Sequence, residues 1–174
     1  MIKNNIIIAF SSNNICNSIS NILNKNGIDF DYICKTASSL RKCCSYYENG
    51  IIICSTSFLD EPIYNIIEDF YKDFIFILIG SNDKLNLYSD EKVYKLCTPI
   101  KQEDIISSLD LAYYKISENL QNKKHKILKE AKNLLMLNYN ICEEQAHKYI
   151  QKKSMDTGKK NIDIAKIIIN KYKK

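Results

Sequence analysis

Glycine and proline are nearly missing from this 174-residue chain, which has four Gly, two Pro and no Trp. No Gly-rich phosphate loop can be built from them, and no internal repeat or low-complexity linker is visible. Ile, Asn, Lys and Tyr are abundant instead, a bias read as coding bias before function. C-x-x-C spacing is also absent. The seven cysteines (Cys16, Cys34, Cys43, Cys44, Cys54, Cys97 and Cys142) are odd in number, and several lie in apolar runs. That pattern argues against a disulfide framework and predicts reduced, mostly buried thiols in a cytoplasmic protein. Only His125 and His147 could assist a zinc site, and neither has partners at ligand spacing. No metal or cofactor is therefore expected. No apolar run approaches the roughly 18 residues of a membrane span. The run in "MIKNNIIIAFSSNN" is too short for a signal peptide. The expectation is a soluble, intracellular protein with no membrane partner.

Hydrophobic residues make up 45% of the chain, enough for a core. The length suits one medium domain, or a domain of about 120 residues with a small module attached. Charge favours the second arrangement. Residues 121–174 hold 14 Lys against 5 acidic residues, a balance of +9, whereas residues 1–120 carry −4. A basic module on a mildly acidic body points to nucleic acid, against the blander reading of a solvated lysine-rich surface.

Short apolar runs alternate with amphipathic stretches through the body. Strands are predicted at "NIIIAF" (5–10), "FDYIC" (30–34), "IIICS" (51–55), "FIFILIG" (74–80) and "VYKLC" (93–97). Helices are predicted at 14–27, closed by Gly27, at 37–50, near 61–72 and after "TPIKQED", with a short helix or loop over 82–90. Five strands alternating with helices predict an α/β domain whose parallel sheet is covered on both faces.

This order, over roughly residues 3–118, resembles the receiver domain of two-component response regulators, a flavodoxin-like doubly wound fold. The most specific local match is "LCTPIKQEDIISSL". The resemblance implies two acids after strand 1 that hold Mg²⁺ and a phosphoacceptor Asp ending strand 3. It also implies a Thr or Ser ending strand 4 and a Lys before the strand-5 Pro. Those positions carry Ser11 and Ser12, Ser55 (Cys54 if the register slips by one), Ser81, and Thr98 before Pro99. Only the strand-4 hydroxyl is kept. Mg²⁺ takes anionic oxygens, and an acyl phosphate needs a carboxylate. Asp60 and Glu61 lie several residues too late to restore the site. The serines have no His partner in the body, so no nucleophilic enzyme replaces the lost chemistry. Residues 1–118 are read as a non-enzymatic pseudo-receiver.

From Lys101 to Gly158 there is no Pro or Gly. Ile105, Leu109, Ala112, Ile116 and Leu120 keep a 3–4 spacing. Up to about Ile116 this stripe reads as the core face of helix 5; beyond it, as a dimeric coiled coil. The polar "ENLQNKKH" is a place for a bend or hinge.

Residues 119–174 read as an all-α three-helix module. The first helix covers 124–138, with Ile127, Leu128, Ala131, Leu134, Leu135 and Met136 on its apolar side, and "YNIC" breaks it. The second covers 143–156. Glu143 and Glu144 suit its first turn, and Gln145 is placed to reach back to the cap. Ala146, Tyr149, Ile150 and Ser154 line its inner face. Gly158 provides the turn, and Ile162, Ala165, Ile168 and Ile169 face inward on the third helix.

"EAKNLLMLNYNICEEQAHKYIQKKSMDTGKKNIDIAKIII" (130–169) resembles the ANTAR domain, the RNA-binding module of bacterial transcription antitermination regulators. The match is carried by Ala131, Lys132, Leu135, Met136, Glu143, Glu144, Ala146, Ser154, Met155, Asp156 and Ala165. Asn133 stands where the family often has Gly, and Cys142 where it often has a Ser or Thr cap. The resemblance implies a homodimer that binds stem-loops in nascent leader RNA and holds the antiterminator form. Lys132, Lys148, Lys152, Lys153, Lys159 and Lys160 are the expected phosphate contacts. Ser154, Asp156 and Thr157 are candidates for base edges, and His147 or Tyr149 for stacking, although Tyr149 reads better as core. The competing expectation is a protein-interaction module, sequestered by a sensor protein and without RNA contact.

Overall fold

The computed structural model describes residues 5–88 and 92–173. They divide into two compact units, one on each side of the Ile116–Ser117 bond. The first unit runs β1 (Asn5–Ala9), α1 (Asn13–Lys25), β2 (Tyr32–Cys34), α2 (Ala37–Tyr46), β3 (Gly50–Ser55), α3 (Ile63–Phe70), β4 (Phe74–Gly80), α4 (Asn82–Leu85) and β5 (Val93–Cys97). Helix α5 (Gln102–Tyr139) begins in this unit and supplies the first helix of the second, which continues with α6 (Glu143–Thr157) and α7 (Asn161–Tyr172).

All strand pairs are parallel, in the order β2-β1-β3-β4-β5. The three central strands explain themselves. Ile6–Ala9, Ile51–Cys54 and Phe74–Leu78 are buried without alternation, as strands covered on both faces must be. The edge strands β2 and β5 are partly exposed; β5 carries Lys95, while β2 leaves Tyr32 and Ile33 exposed. The doubly wound five-stranded sheet is the one the pattern predicts.

Boundaries differ where side chains outside the local pattern decide them. β2 starts at Tyr32 rather than at residue 30; just before it, Asp31 bonds Ile6 through both its backbone N–H and its carboxylate. α3 starts at Ile63, immediately after Pro62. Of the segment predicted over 82–90, the first four residues form α4, and residues 89 and 90 lie outside the described chain. The polar "ENLQNKKH" does not interrupt α5. Without Gly or Pro, its Glu, Leu, Gln and Lys residues continue the helix. Ile105, Leu109, Ala112 and Ile116 are buried, while residues 121–126 are exposed.

In the second unit, Ala131 and Leu135 of α5 pack with Ala146 and Ile150 of α6 and with Ile164, Ala165 and Ile168 of α7. The three alanines are fully buried, and their small size lets the helices approach closely. Ile164 joins this core although the pattern did not select it, and Ile162 and Ile169 are only half-buried.

Candidate nucleic-acid interface

Because the sheet is wholly parallel, the carboxyl ends of β1, β3, β4 and β5 share one edge. Ser11 and Ser12 follow β1, Ser55 ends β3, Ser81 follows β4 and Thr98 follows β5. The topology therefore brings all five predicted positions to one edge. Ser11, Ser12, Ser81 and Thr98 are exposed and Ser55 is half-buried. Ser55 Oγ accepts the Ser57 N–H at 3.4 Å. Cys54 is completely buried, and burial pushes its thiol far above the ordinary range. The Thr98–Pro99 peptide is cis. Behind this edge, Gly80 has no room for a side chain: a Cβ there would lie 2.8 Å from Thr56 Cγ2.

The two acids that follow β3, Asp60 and Glu61, are engaged elsewhere. Asp60 accepts the N–H groups of Ala37 at 3.0 Å and Ser38 at 2.9 Å, capping α2. Those bonds hold its carboxyl below the usual range. Glu61 pairs with Arg41 at 2.5 Å, and Arg41 also bonds Asp69, so one guanidinium ties α2 to α3. Hydroxyls alone do not fit Mg²⁺, which requires carboxylate oxygens. No group of three or more His, Cys, Asp or Glu among the described residues could hold a metal.

The second unit concentrates cations at the α6–α7 turn. Gly158 closes α6 with φ +68°, the left-handed conformation that favours glycine. Ser154 Oγ donates to the Lys159 carbonyl at 2.5 Å, and Thr157 Oγ1 donates to the Lys153 carbonyl at 2.6 Å. The Ser154 bond holds the backbone of the turn, and the Thr157 bond lies within the last turn of α6. Lys152, Lys153, Lys159, Lys160 and Asp156 are exposed. No ion pair among the described residues engages those four lysines. The other two predicted contacts differ. Lys132 lies 2.5 Å from Glu143 and Lys148 lies 2.6 Å from Glu144. At the start of α6, the Gln145 side chain accepts the Cys142 N–H at 3.0 Å, the reach-back expected from the sequence.

Residues 120–169 match the ANTAR domain family. This segment is an ANTAR domain. The ANTAR domain follows a unit whose fold recurs in solved receivers. The signal receiver domain of an HD domain-containing protein from Pseudomonas fluorescens Pf-5 superposes with TM-score 0.57 at 13% identity, covering 71% of this chain and 93% of that one. A two component transcriptional regulator AraC from Clostridium phytofermentans ISDg gives 0.57 at 13%, with 68% and 98% covered. A response regulator receiver domain protein from Bacillus halodurans C-125 gives 0.54 at 15%, with 63% and 96% covered. At such identities the likeness establishes the receiver fold. No curated protein matches the sequence. No helix among the described residues is long and apolar enough to cross a membrane.

The structure corrects one placement in the ANTAR domain. Tyr149, read as core, is 37% exposed and joins Tyr139 and Tyr172 in an aromatic group. Tyr139 and Tyr172 were not singled out from sequence. Their positions at the ends of their helices, Tyr139 opening "YNIC" and Tyr172 following Lys171, were the available signal. Tyr172 is held below the usual tyrosine range by hydrogen bonds from Tyr139 and Lys171.

Proposed function

We propose that this chain is a homodimeric RNA-binding antiterminator whose ANTAR domain binds stem-loops in nascent leader transcripts and prevents terminator formation. One observation carries the reading. Four exposed lysines, none of them in an ion pair among the described residues, flank a turn closed by Gly158 and by the bond from Ser154 Oγ to the Lys159 carbonyl. Phosphate neutralisation by such lysines supplies affinity and makes it salt-dependent. Sequence is then read from unstacked loop bases, with Ser154, Asp156 and Thr157 as the base contacts of this reading. The hydroxyls keep acceptor lone pairs after donating to backbone carbonyls. Lys132 and Lys148 contribute less than the other four, because each is paired with a glutamate.

The receiver-type unit is regulated without phosphorylation. Its β3 ends on Ser55, its acid-pair positions are Ser11 and Ser12, and its lysine position is Thr98. Asp60 and Glu61 are held in structural bonds. A sensor protein that binds this unit is the input that the loss of phosphotransfer chemistry leaves open.

Affinity selection tests the reading. A pool of two-stem-loop RNAs with randomised loops is passed over the full chain at increasing salt. Enrichment of defined loop sequences is expected. No enrichment at any salt rejects RNA recognition and favours the protein-interaction alternative. That alternative draws on the same edge, where a receiver scaffold persists without its carboxylates.

A further inference from the structure

We propose that Tyr149 and Tyr139 form a stacking platform for an unpaired RNA base, extending the lysine patch along α6. The inference rests on the RNA-binding reading and adds a second contact type to it.

Tyr139 comes from the end of α5, Tyr149 from α6 and Tyr172 from the end of α7. The Tyr139 and Tyr149 rings lie 6.1 Å apart with 33° between their planes. Tyr172 meets Tyr139 edge-on, also at 6.1 Å. The Tyr139 and Tyr172 hydroxyls share a 2.6 Å hydrogen bond. A tyrosine recruited only to fill the core would be covered, as Leu135 and Ile150 are. Instead Tyr139 is 48% exposed. Ring contacts and the hydroxyl bond hold these exposed rings in place, so little side-chain freedom remains to be lost on binding.

The surroundings favour a nucleic-acid base over a protein partner. Lys171 Nζ sits 4.9 Å from the centre of the Tyr172 ring. Lys153 is four residues after Tyr149 on the same face of α6, about 6 Å along the helix axis. Three of the five acids in residues 121–174 are neutralised by lysines: Glu130 by Lys173, Glu143 by Lys132 and Glu144 by Lys148. An anionic strand gripped by Lys153 therefore meets aromatic faces one turn away. Every base presents a π-face, and a ring under it adds affinity independent of charge.

The test uses the full chain and an RNA recovered from the loop-randomised pool, in two forms: intact, and with one loop nucleotide at a time made abasic. Wild-type protein should bind one abasic form about 5- to 150-fold more weakly than the intact RNA, the range of one base–aromatic stack. Tyr149→Leu should lose the same factor on intact RNA, lose nothing further on that abasic form, and keep the wild-type salt slope. Tyr149→Phe should restore binding. In wild type, 2-aminopurine at that loop position should be quenched. Equal wild-type affinity for intact and all abasic forms overturns the platform and leaves lysine-based binding standing. So does a Tyr149→Leu loss of the same size on both forms. Should Tyr149→Leu lose its helical signal, the wild-type abasic and quenching measurements decide. Absence of any RNA recovered from the pool defeats the underlying function first, and the platform with it.

Discussion

The ammonium of Lys132 lies 2.5 Å from the carboxylate of Glu143, joining the last turns of α5 to the first turn of α6. The pair, formed across eleven residues, gives Lys132 a structural partner. It also holds the Glu143 carboxyl below the ordinary glutamate value of 4.5. A carboxyl whose folded value is depressed stabilises the fold fully above its unfolded value and loses that contribution as pH falls through the folded one. Wild type should therefore melt above Glu143→Gln at pH 7, and the gap should shrink as the pH is lowered to 3. A gap that does not change with pH would contradict the assignment.

Gly158 has φ +68° and open space where a Cβ would stand. The cost of Gly158→Ala is therefore conformational, roughly 1–2 kcal/mol. Gly158→Asn should lose less, since Asn tolerates the left-handed region better. Urea melts of both variants check the order, and equal stabilities would count against it.

The thiols should separate by environment. Burial and the neighbouring Cys43 thiol, 3.5 Å away, push Cys34 up to about 12, and burial pushes Cys44 to about 12. Both remain protonated at pH 8 and unreactive as nucleophiles. Cys97 and Cys142 are exposed. Alkylation of the folded chain followed by peptide mass analysis should label Cys97 and Cys142 first, and Cys34, Cys44 and Cys54 only after unfolding. Early label on Cys54 would place β3 wrongly.

Acetyl phosphate with Mg²⁺ should leave no acyl-phosphate label on the chain. Ser55 at the end of β3 supplies no carboxylate, and the Asp60 oxygens cap α2. A hydroxylamine-sensitive label mapped to residues 54–61 would show that an acid there takes phosphate after all.

Much of this was legible in the sequence because it is local. The unbroken apolar runs of β3 and β4 announce a doubly covered parallel sheet, and "DTGKK" announces the turn. What stayed hidden depends on partners distant in the chain. Asp60 caps a helix 22 and 23 residues before it. Lys132 finds Glu143 only once α5 and α6 have packed. Tyr149 misled for a different reason. It adjoins Ile150 and lies three residues after Ala146, so helical spacing placed it at the margin of the apolar stripe. Packing then left it beside Tyr139, partly open to solvent. The serines after the strands were readable as departures from receiver chemistry. Which acids nearby were already engaged was not.

The decisive comparison is the dependence of RNA affinity on salt for wild type and for the chain carrying Lys152→Ala, Lys153→Ala, Lys159→Ala and Lys160→Ala together. Each phosphate contact adds about 0.7–0.9 to the slope of log affinity against log salt. Removing all four should flatten that slope by about 3, with the helical signal retained. An unchanged slope would mean that the lysines of this turn do not hold the RNA.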